Sequence, residues 1–348
     1  MALTATEDLP RFLRAARGQA LDATPVWFMR QAGRYLPEYR AIRARHSLLE
    51  ICARPAIAAE VTLQPVTRLG VDAAILFADI LLPLVPMGLE LEFQAGEGPV
   101  IHNPVRTGAD IDALRTVDVT EALGSVMETI RLVREQLPSD IPLIGFAGAP
   151  FTMASYAIEG GSSRTFVETK RLMYTDPDAW HRLLGGMAEV VFDYLRAQVD
   201  AGAQAIQLFD SWAGALAEQE YREFVLPHTR LIFERLKPLD VPTIHFGVGT
   251  HHMLEAMREA GGDVTGLDWR TPLEEGWRRL GPDASIQGNL DPTLLFAPLP
   301  VLRRSVIDLL ARAEGRPGHI FNLGHGVLPG TPVENVRAVV DFVHELTA

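Results

Sequence analysis

The 348-residue sequence predicts an α/β fold, a single-domain (β/α)8 TIM barrel spanning 1–348. Three observations carry that expectation. Eight short apolar runs recur along the chain, they are continuous rather than alternating, and helical patterns separate them.

The runs are, in order, Val26 to Met29, Ala73 to Phe77, Pro142 to Phe146, Ala205 to Phe209, Thr243 to Phe246, Val264 to Leu267, Ser285 to Gly288 and His319 to Leu323. A run without polar alternation suits a strand covered on both faces, as in a parallel sheet. Between runs, Asp176-Pro177 opens a helix by cap and first-turn logic, and Trp180, Leu183, Leu184, Met187, Val191 and Tyr194 follow at helical spacing as far as Gly202. Met253 to Ala260, Leu302 to Ala313 and Val333 to Leu346 repeat the pattern. A unit of glycine, buried run and acid recurs from Gly70 to Asp79, Gly202 to Asp210 and Gly261 to Asp268. A doubly wound sheet is the rival architecture, but its glycine-rich dinucleotide turn is missing. Gly247-Val248-Gly249-Thr250-His251-His252 lacks the third glycine and a ribose-binding acid. No linker-like stretch divides the chain, so one domain is expected.

Composition narrows the function. The net charge of −12 argues against a nucleic-acid partner. The longest apolar stretch, Ala73 to Leu89, is broken by Asp79, Pro83 and Pro86, so no membrane span is expected. The polar N-terminus has no secretory signal pattern, and the single cysteine, Cys52, fits a reducing, cytoplasmic setting. One cysteine also leaves no multi-thiolate metal site. The basic residues are 30 arginines and only two lysines, Lys170 and Lys237. Lys170 falls on an exposed helical pattern and Lys237 at a helix end, so Schiff-base chemistry is disfavoured.

In a barrel, the residues just after each strand line the active-site mouth. Nine arginines against three acids between Arg11 and Arg54 make a local excess of six positive charges in an acidic chain. Arginine suits bidentate binding of carboxylate or phosphate. Arg30 and Arg34 follow the first run, and Arg43 comes nine residues after Arg34; a solvated surface is the structural alternative for all three. Asp79 follows the second run in Phe77-Ala78-Asp79-Ile80-Leu81, apolar surroundings that make a carboxylate costly unless N–H donors or a cation reach it. It is either a loop-capping acid or a carboxylate awaiting donors on a ligand. Tyr156 in the loop after the third run, and Ser211 after the fourth, are neutral hydroxyls. Ser211 lies outside a nucleophile elbow. Asp268, Asn289 and His325 follow the sixth, seventh and eighth runs, with His325 exposed between Gly324 and Gly326. The set describes a concave site for a small molecule bearing several carboxylates and also N–H donors.

Several segments then resemble one family. Trp27-Phe28-Met29-Arg30-Gln31-Ala32-Gly33-Arg34-Tyr35-Leu36-Pro37-Glu38 and Gly145-Phe146-Ala147-Gly148-Ala149-Pro150-Phe151-Thr152 resemble the two signatures of uroporphyrinogen decarboxylases. Phe77 to Leu81, Gly266 to Trp269, Gln287 to Pro292 and Asn322 to Gly326 fit in order, so the resemblance spans about residues 8 to 346. It implies a homodimeric barrel enzyme of haem biosynthesis. Its substrate would be a tetrapyrrole, uroporphyrinogen III, whose four acetate arms become the methyls of coproporphyrinogen III with no cofactor and no metal. Carried over position by position, it implies catalytic roles for Asp79 and Arg30. It implies substrate binding by Arg34, Arg43, Tyr156, Ser211 and His325. Asp210-Ser211-Trp212 departs from relatives that carry Glu and His around the serine. Two alternatives stay open at this point: a zinc-dependent corrinoid or thiol methyltransferase on a related barrel, and a non-catalytic tetrapyrrole carrier.

Overall fold

The computed structural model describes residues 9–94 and 98–348. Its strands are β1 (Ala74–Ile75), β2 (Leu91–Gln94), β3 (Gly98–Ile101), β4 (Leu143–Gly148), β5 (Ala205–Asp210), β6 (Thr243–Gly247), β7 (Val264–Gly266), β8 (Ser285–Gln287) and β9 (His319–Ile320). Seven of them form one sheet in the order β1-β4-β5-β6-β7-β8-β9, with every neighbour parallel. Each of these strands is buried along its length, apart from half-buried Phe209, as continuous apolar runs require.

The first expected strand is reduced to a bridge, and it still closes the barrel. Val26 pairs in parallel with Phe321. The Phe321 N–H donates to the Pro25 carbonyl at 2.9 Å, and the Asp72 N–H donates to the Val26 carbonyl at 2.8 Å. The segment 25–27 thus lies between β9 and β1 and completes an eightfold (β/α) barrel. Its ladder stops early because Gln31 takes over the next backbone groups. Gln31 Oε1 accepts from the Phe28 N–H at 3.0 Å, and Gln31 Nε2 donates to the Ala73 carbonyl at 3.0 Å.

Asp72 pins the closing seam from below. Its carboxylate accepts the Val26 N–H at 2.7 Å and the Arg11 guanidinium at 2.9 Å, and pairs with His344 Nε2 at 2.7 Å. The first helix, the first barrel segment and the last helix therefore meet on one side chain. Inside the barrel, Trp27 Nε1 donates to Gln287 Oε1 and Gln287 Nε2 donates to Gln207 Oε1, each at 3.0 Å. This polar crossbar gives Trp27 Nε1, both Gln287 amide atoms and Gln207 Oε1 partners that apolar burial alone would deny them.

Helices wrap the sheet close to their expected places. Pro177–Ala201 starts at Asp176, whose side chain accepts the Ala179 N–H. The helices Leu254–Ala260, Leu299–Ala313 and Val333–Thr347 match within a few residues, and His251–Met253 forms a separate 3-10 turn. Helix Pro177–Ala201 docks on β4 through Gln198, which accepts the Phe146 N–H at 2.8 Å and donates to the Phe146 carbonyl at 2.9 Å. A Cβ at Gly145 would sit 2.5 Å from Gln198 Oε1, so this close approach needs glycine. The sequence reading had no strand at β2 and β3, which pair antiparallel outside the barrel. Among the described residues no helix is long and apolar enough to cross a membrane.

Candidate active site

The expected site residues come from different barrel units. Arg30 is the first. Val327 N–H donates to the Met29 carbonyl at 2.9 Å, and Met29 N–H donates to Asn322 Oδ1 at 3.2 Å, so the loop after β9 is tied to the end of the first segment. Arg30 itself has φ of 60°, a left-handed conformation that costs a non-glycine residue of order 1–3 kcal/mol unless its surroundings impose it. The surroundings include Gly326. A Cβ there would lie 2.5 Å from Arg30 Cδ and 2.7 Å from its Cγ, so the arginine stem runs directly over this glycine. The guanidinium stays exposed, with no acid paired to it among the described residues.

Asp79 lies four residues beyond β1 and is half-buried. Its Oδ1 accepts the Leu81 N–H at 2.9 Å. Burial pushes the carboxyl up to about 6, against the opposing pull of the Leu81 N–H and the Arg30 charge. The carboxylate is therefore ionised at neutral pH, yet incompletely satisfied.

Tyr156 is not in a loop, as the sequence reading had it. Pro150 at the first helical position starts a helix directly after β4, and Tyr156 lies within it, Pro150–Glu159. Burial, then the charge of Asp79, raises the phenol to about 12, and the Arg30 charge opposes them, so all three groups share one neighbourhood. His325 joins them from the loop after β9. Its Nδ1 accepts the Gly326 N–H at 2.7 Å, which leaves the proton of the neutral ring on Nε2. Burial, Arg30 and Arg270 together push the imidazole down to about 4. His325 is thus a neutral N–H donor at physiological pH.

Arg34, Arg43 and Ser211 are less tightly bound into this group. Arg34 is exposed on the turn before helix Pro37–Arg43. Arg43 is half-buried, and one of its nitrogens donates to the His46 carbonyl. The charges of Arg43 and Arg34 both favour the ionised form of the buried Tyr39 phenol, against burial. Cys52 lies between Arg43 and Asp79 electrostatically, and burial followed by Asp79 pushes its thiol up to about 12. Such a thiol is a poor source of thiolate. Among the described residues no three His, Cys, Asp or Glu side chains gather as a metal site would. Ser211 is half-buried immediately after β5.

Asp268 and Asn289 serve the scaffold. Asp268 Oδ2 accepts the Gly249 N–H at 2.6 Å and pairs with Arg270 at 2.7 Å, while Asn289 Nδ2 donates to the carbonyls of Asp268 and Thr271. Two residues at this end of the barrel escaped the sequence reading. Arg270 stacks its guanidinium 3.9 Å from the Trp269 ring centroid while its charge acts on His325. Trp212 stacks on Tyr156 with ring centroids 3.8 Å apart. The signal for Arg270 was its place two residues after a strand-end acid. In the sequence Trp212 stands out only as a departure from relatives.

This arrangement is one acceptor carboxylate beside arginines and neutral O–H and N–H donors. It suits a ligand with several carboxylates and a cluster of N–H groups. Comparisons with known proteins place the chain in a family. The family model described as Uroporphyrinogen decarboxylase (URO-D) matches residues 8–346. A uroporphyrinogen decarboxylase of Sorangium cellulosum is 59% identical over 336 residues, covering 97% of this chain and 96% of its own length. That of Solibacter usitatus is 56% identical over 335 residues, covering 96% of this chain and 97% of its own. Among solved structures, a methyltransferase from Methanosarcina mazei superposes with a TM-score of 0.82 at 21% identity, covering 97% of this chain and 98% of that one. At that identity the likeness concerns the fold alone.

Proposed function

The chain belongs to the uroporphyrinogen decarboxylase family, and from that premise we propose how its residues divide the work of a carboxy-lyase of tetrapyrrole biosynthesis. The reaction replaces each of the four acetate arms of uroporphyrinogen III by a methyl group, giving coproporphyrinogen III. A proton adds to a ring carbon of the pyrrole that bears the arm. The C–C bond to the carboxylate then breaks, CO2 leaves, and the bonding pair flows into the cationic ring to form an exocyclic methylene. Protonation of that methylene and loss of the ring proton complete the methyl. Each arm consumes one proton and releases one CO2, and the substrate's own pyrrole serves as electron sink.

Asp79 is the centre of this reading. Its ionised carboxylate accepts the pyrrole N–H groups and stabilises the positive charge as it forms, which is electrostatic catalysis by a preorganised group. Arg30 orients the reacting acetate. An arginine holds its proton too tightly to be an efficient general acid, so orientation rather than proton transfer is its role. Arg34, Arg43, Tyr156, Ser211 and the neutral His325 hold the remaining carboxylates. The observation that carries the assignment is the single Asp79 carboxylate, raised to about 6 and satisfied on one side by Leu81, set beside an exposed Arg30 that forms no salt bridge among the described residues. The whole chain acts as one catalytic domain, cytoplasmic and paired as a homodimer.

The test is anaerobic incubation of chelator-treated protein with uroporphyrinogen III, then oxidation and separation of porphyrins by carboxylate number. Stepwise loss from eight carboxylates to four supports the reading. Tight binding without product would make the protein a carrier. Absence of both would overturn the substrate assignment.

A further inference from the structure

Burial and the charges of Asp79 and Arg30 act on the Tyr156 hydroxyl, and no hydrogen bond among the described residues does, so its direction depends on how the ring is held. The ring lies against Trp212 with centroids 3.8 Å apart and planes 29° from parallel. Trp212 in turn packs edge-to-face with Phe166, centroids 5.0 Å apart and planes at 68°. Its backbone is fixed from below. The Trp212 N–H donates to Thr152 Oγ1 at 3.3 Å, and the Thr152 hydroxyl donates to Asp210 Oδ1 at 3.2 Å. Thr152 and Asp210 are fully buried.

The direction of this chain is set by chemistry. A backbone N–H can only donate, so the Thr152 oxygen accepts from Trp212. The Thr152 hydroxyl in turn donates its hydrogen bond to Asp210 Oδ1. The fold thus connects a buried carboxylate to the ring that backs Tyr156. We propose that Thr152 and Trp212 are positioning residues that aim the Tyr156 hydroxyl at a substrate carboxylate. This rests on the reading of Tyr156 as a carboxylate ligand.

A double-mutant cycle tests both levels separately. Tyr156→Phe removes the hydroxyl alone. Trp212→Leu and Thr152→Val remove the stack and the relay, while Thr152→Ser retains the relay. Trp212→Leu and Thr152→Val should each raise KM for uroporphyrinogen III about tenfold with a smaller change in kcat, as loss of one charge-assisted hydrogen bond does. Thr152→Ser should restore KM to within about twofold. On the Tyr156→Phe background, Trp212→Leu should add less than about twofold, because the group it positions is already gone. Full additivity would overturn the proposal and make the relay a stability feature only. An unchanged KM in Tyr156→Phe alone would remove the carboxylate-ligand reading and this proposal with it. If Thr152→Val fails to fold, the Trp212→Leu cycle decides alone.

Discussion

Asp79 and Leu81 share one hydrogen bond, from the Leu81 N–H to Asp79 Oδ1 at 2.9 Å. No other donor reaches this carboxylate among the described residues, and burial holds it up to about 6 from its ordinary 3.8. The folded protein therefore binds this proton more tightly than the unfolded chain. The resulting stabilisation is complete below 3.8 and is lost as pH rises through about 6. Asn at this position never ionises. Asp79→Asn should be about 1–2 kcal/mol more stable than the parent at pH 8, a discounted figure for a partly accessible group, and equal to it near pH 4. Thermal or urea unfolding at the two pH values measures this. A less stable variant at pH 8 would contradict the strained carboxylate.

The pH profile of kcat/KM follows from the same shift. Activity requires ionised Asp79, so it should fall as pH drops through about 6. His325 titrates near 4 and stays neutral across that range. His325→Gln keeps an N–H donor, so it should lower kcat/KM yet leave the limb where it is. A limb that moves with His325→Gln would transfer the titration to the imidazole.

Gly326 supports the Arg30 stem. Ala at this position would bring its Cβ within 2.5 Å of Arg30 Cδ, and the arginine must move. Gly326→Ala should lower kcat/KM by about 10- to 100-fold, the scale expected when a positioned group shifts by about 1 Å. Its melting temperature should change little, because Arg30 is exposed and makes no ion pair among the described residues. Unchanged kinetics would mean that Arg30 position is irrelevant to turnover.

Association should depend on salt. The net charge of −12 repels a polyanionic substrate, while the arginine-rich segment from Arg11 to Arg54 attracts it locally. Raising salt from about 0.01 M to about 1 M shortens the screening length from about 30 Å to about 3 Å. The kcat/KM should drop about tenfold or more across that range, with kcat much less affected. A rate that rises with salt would mean that the net charge outweighs the arginines.

The barrel was legible because parallel strands covered on both faces leave continuous apolar runs, and seven of the eight runs became paired strands. The run Val26 to Met29 reads as a strand, but Gln31 captures the Phe28 N–H and cuts its ladder to a bridge. The outer pair β2 and β3 was missed because its residues are mixed and mostly half-exposed. Strand-end logic points to Arg30, Asp79, Ser211 and His325, and the structure places all four after barrel strands. It put Tyr156 in a loop because Pro150 was not read as a helix start. The stack of Tyr156 on Trp212 joins residues far apart in sequence, and no local pattern marks it. Arg270 was hidden for a different reason, since its charge looks like one half of an ion pair with Asp268.

The most direct test of the account is turnover of Asp79→Asn with uroporphyrinogen III under anaerobic conditions, beside substrate binding by the same variant. The geometry predicts a folded protein that still binds, through the arginines and neutral donors. Its kcat should be reduced by about 100- to 1,000-fold or more, the scale for removing one preorganised electrostatic group. Turnover close to that of the parent would contradict the account, because the ionised Asp79 carboxylate would then not be needed to stabilise the pyrrole cation.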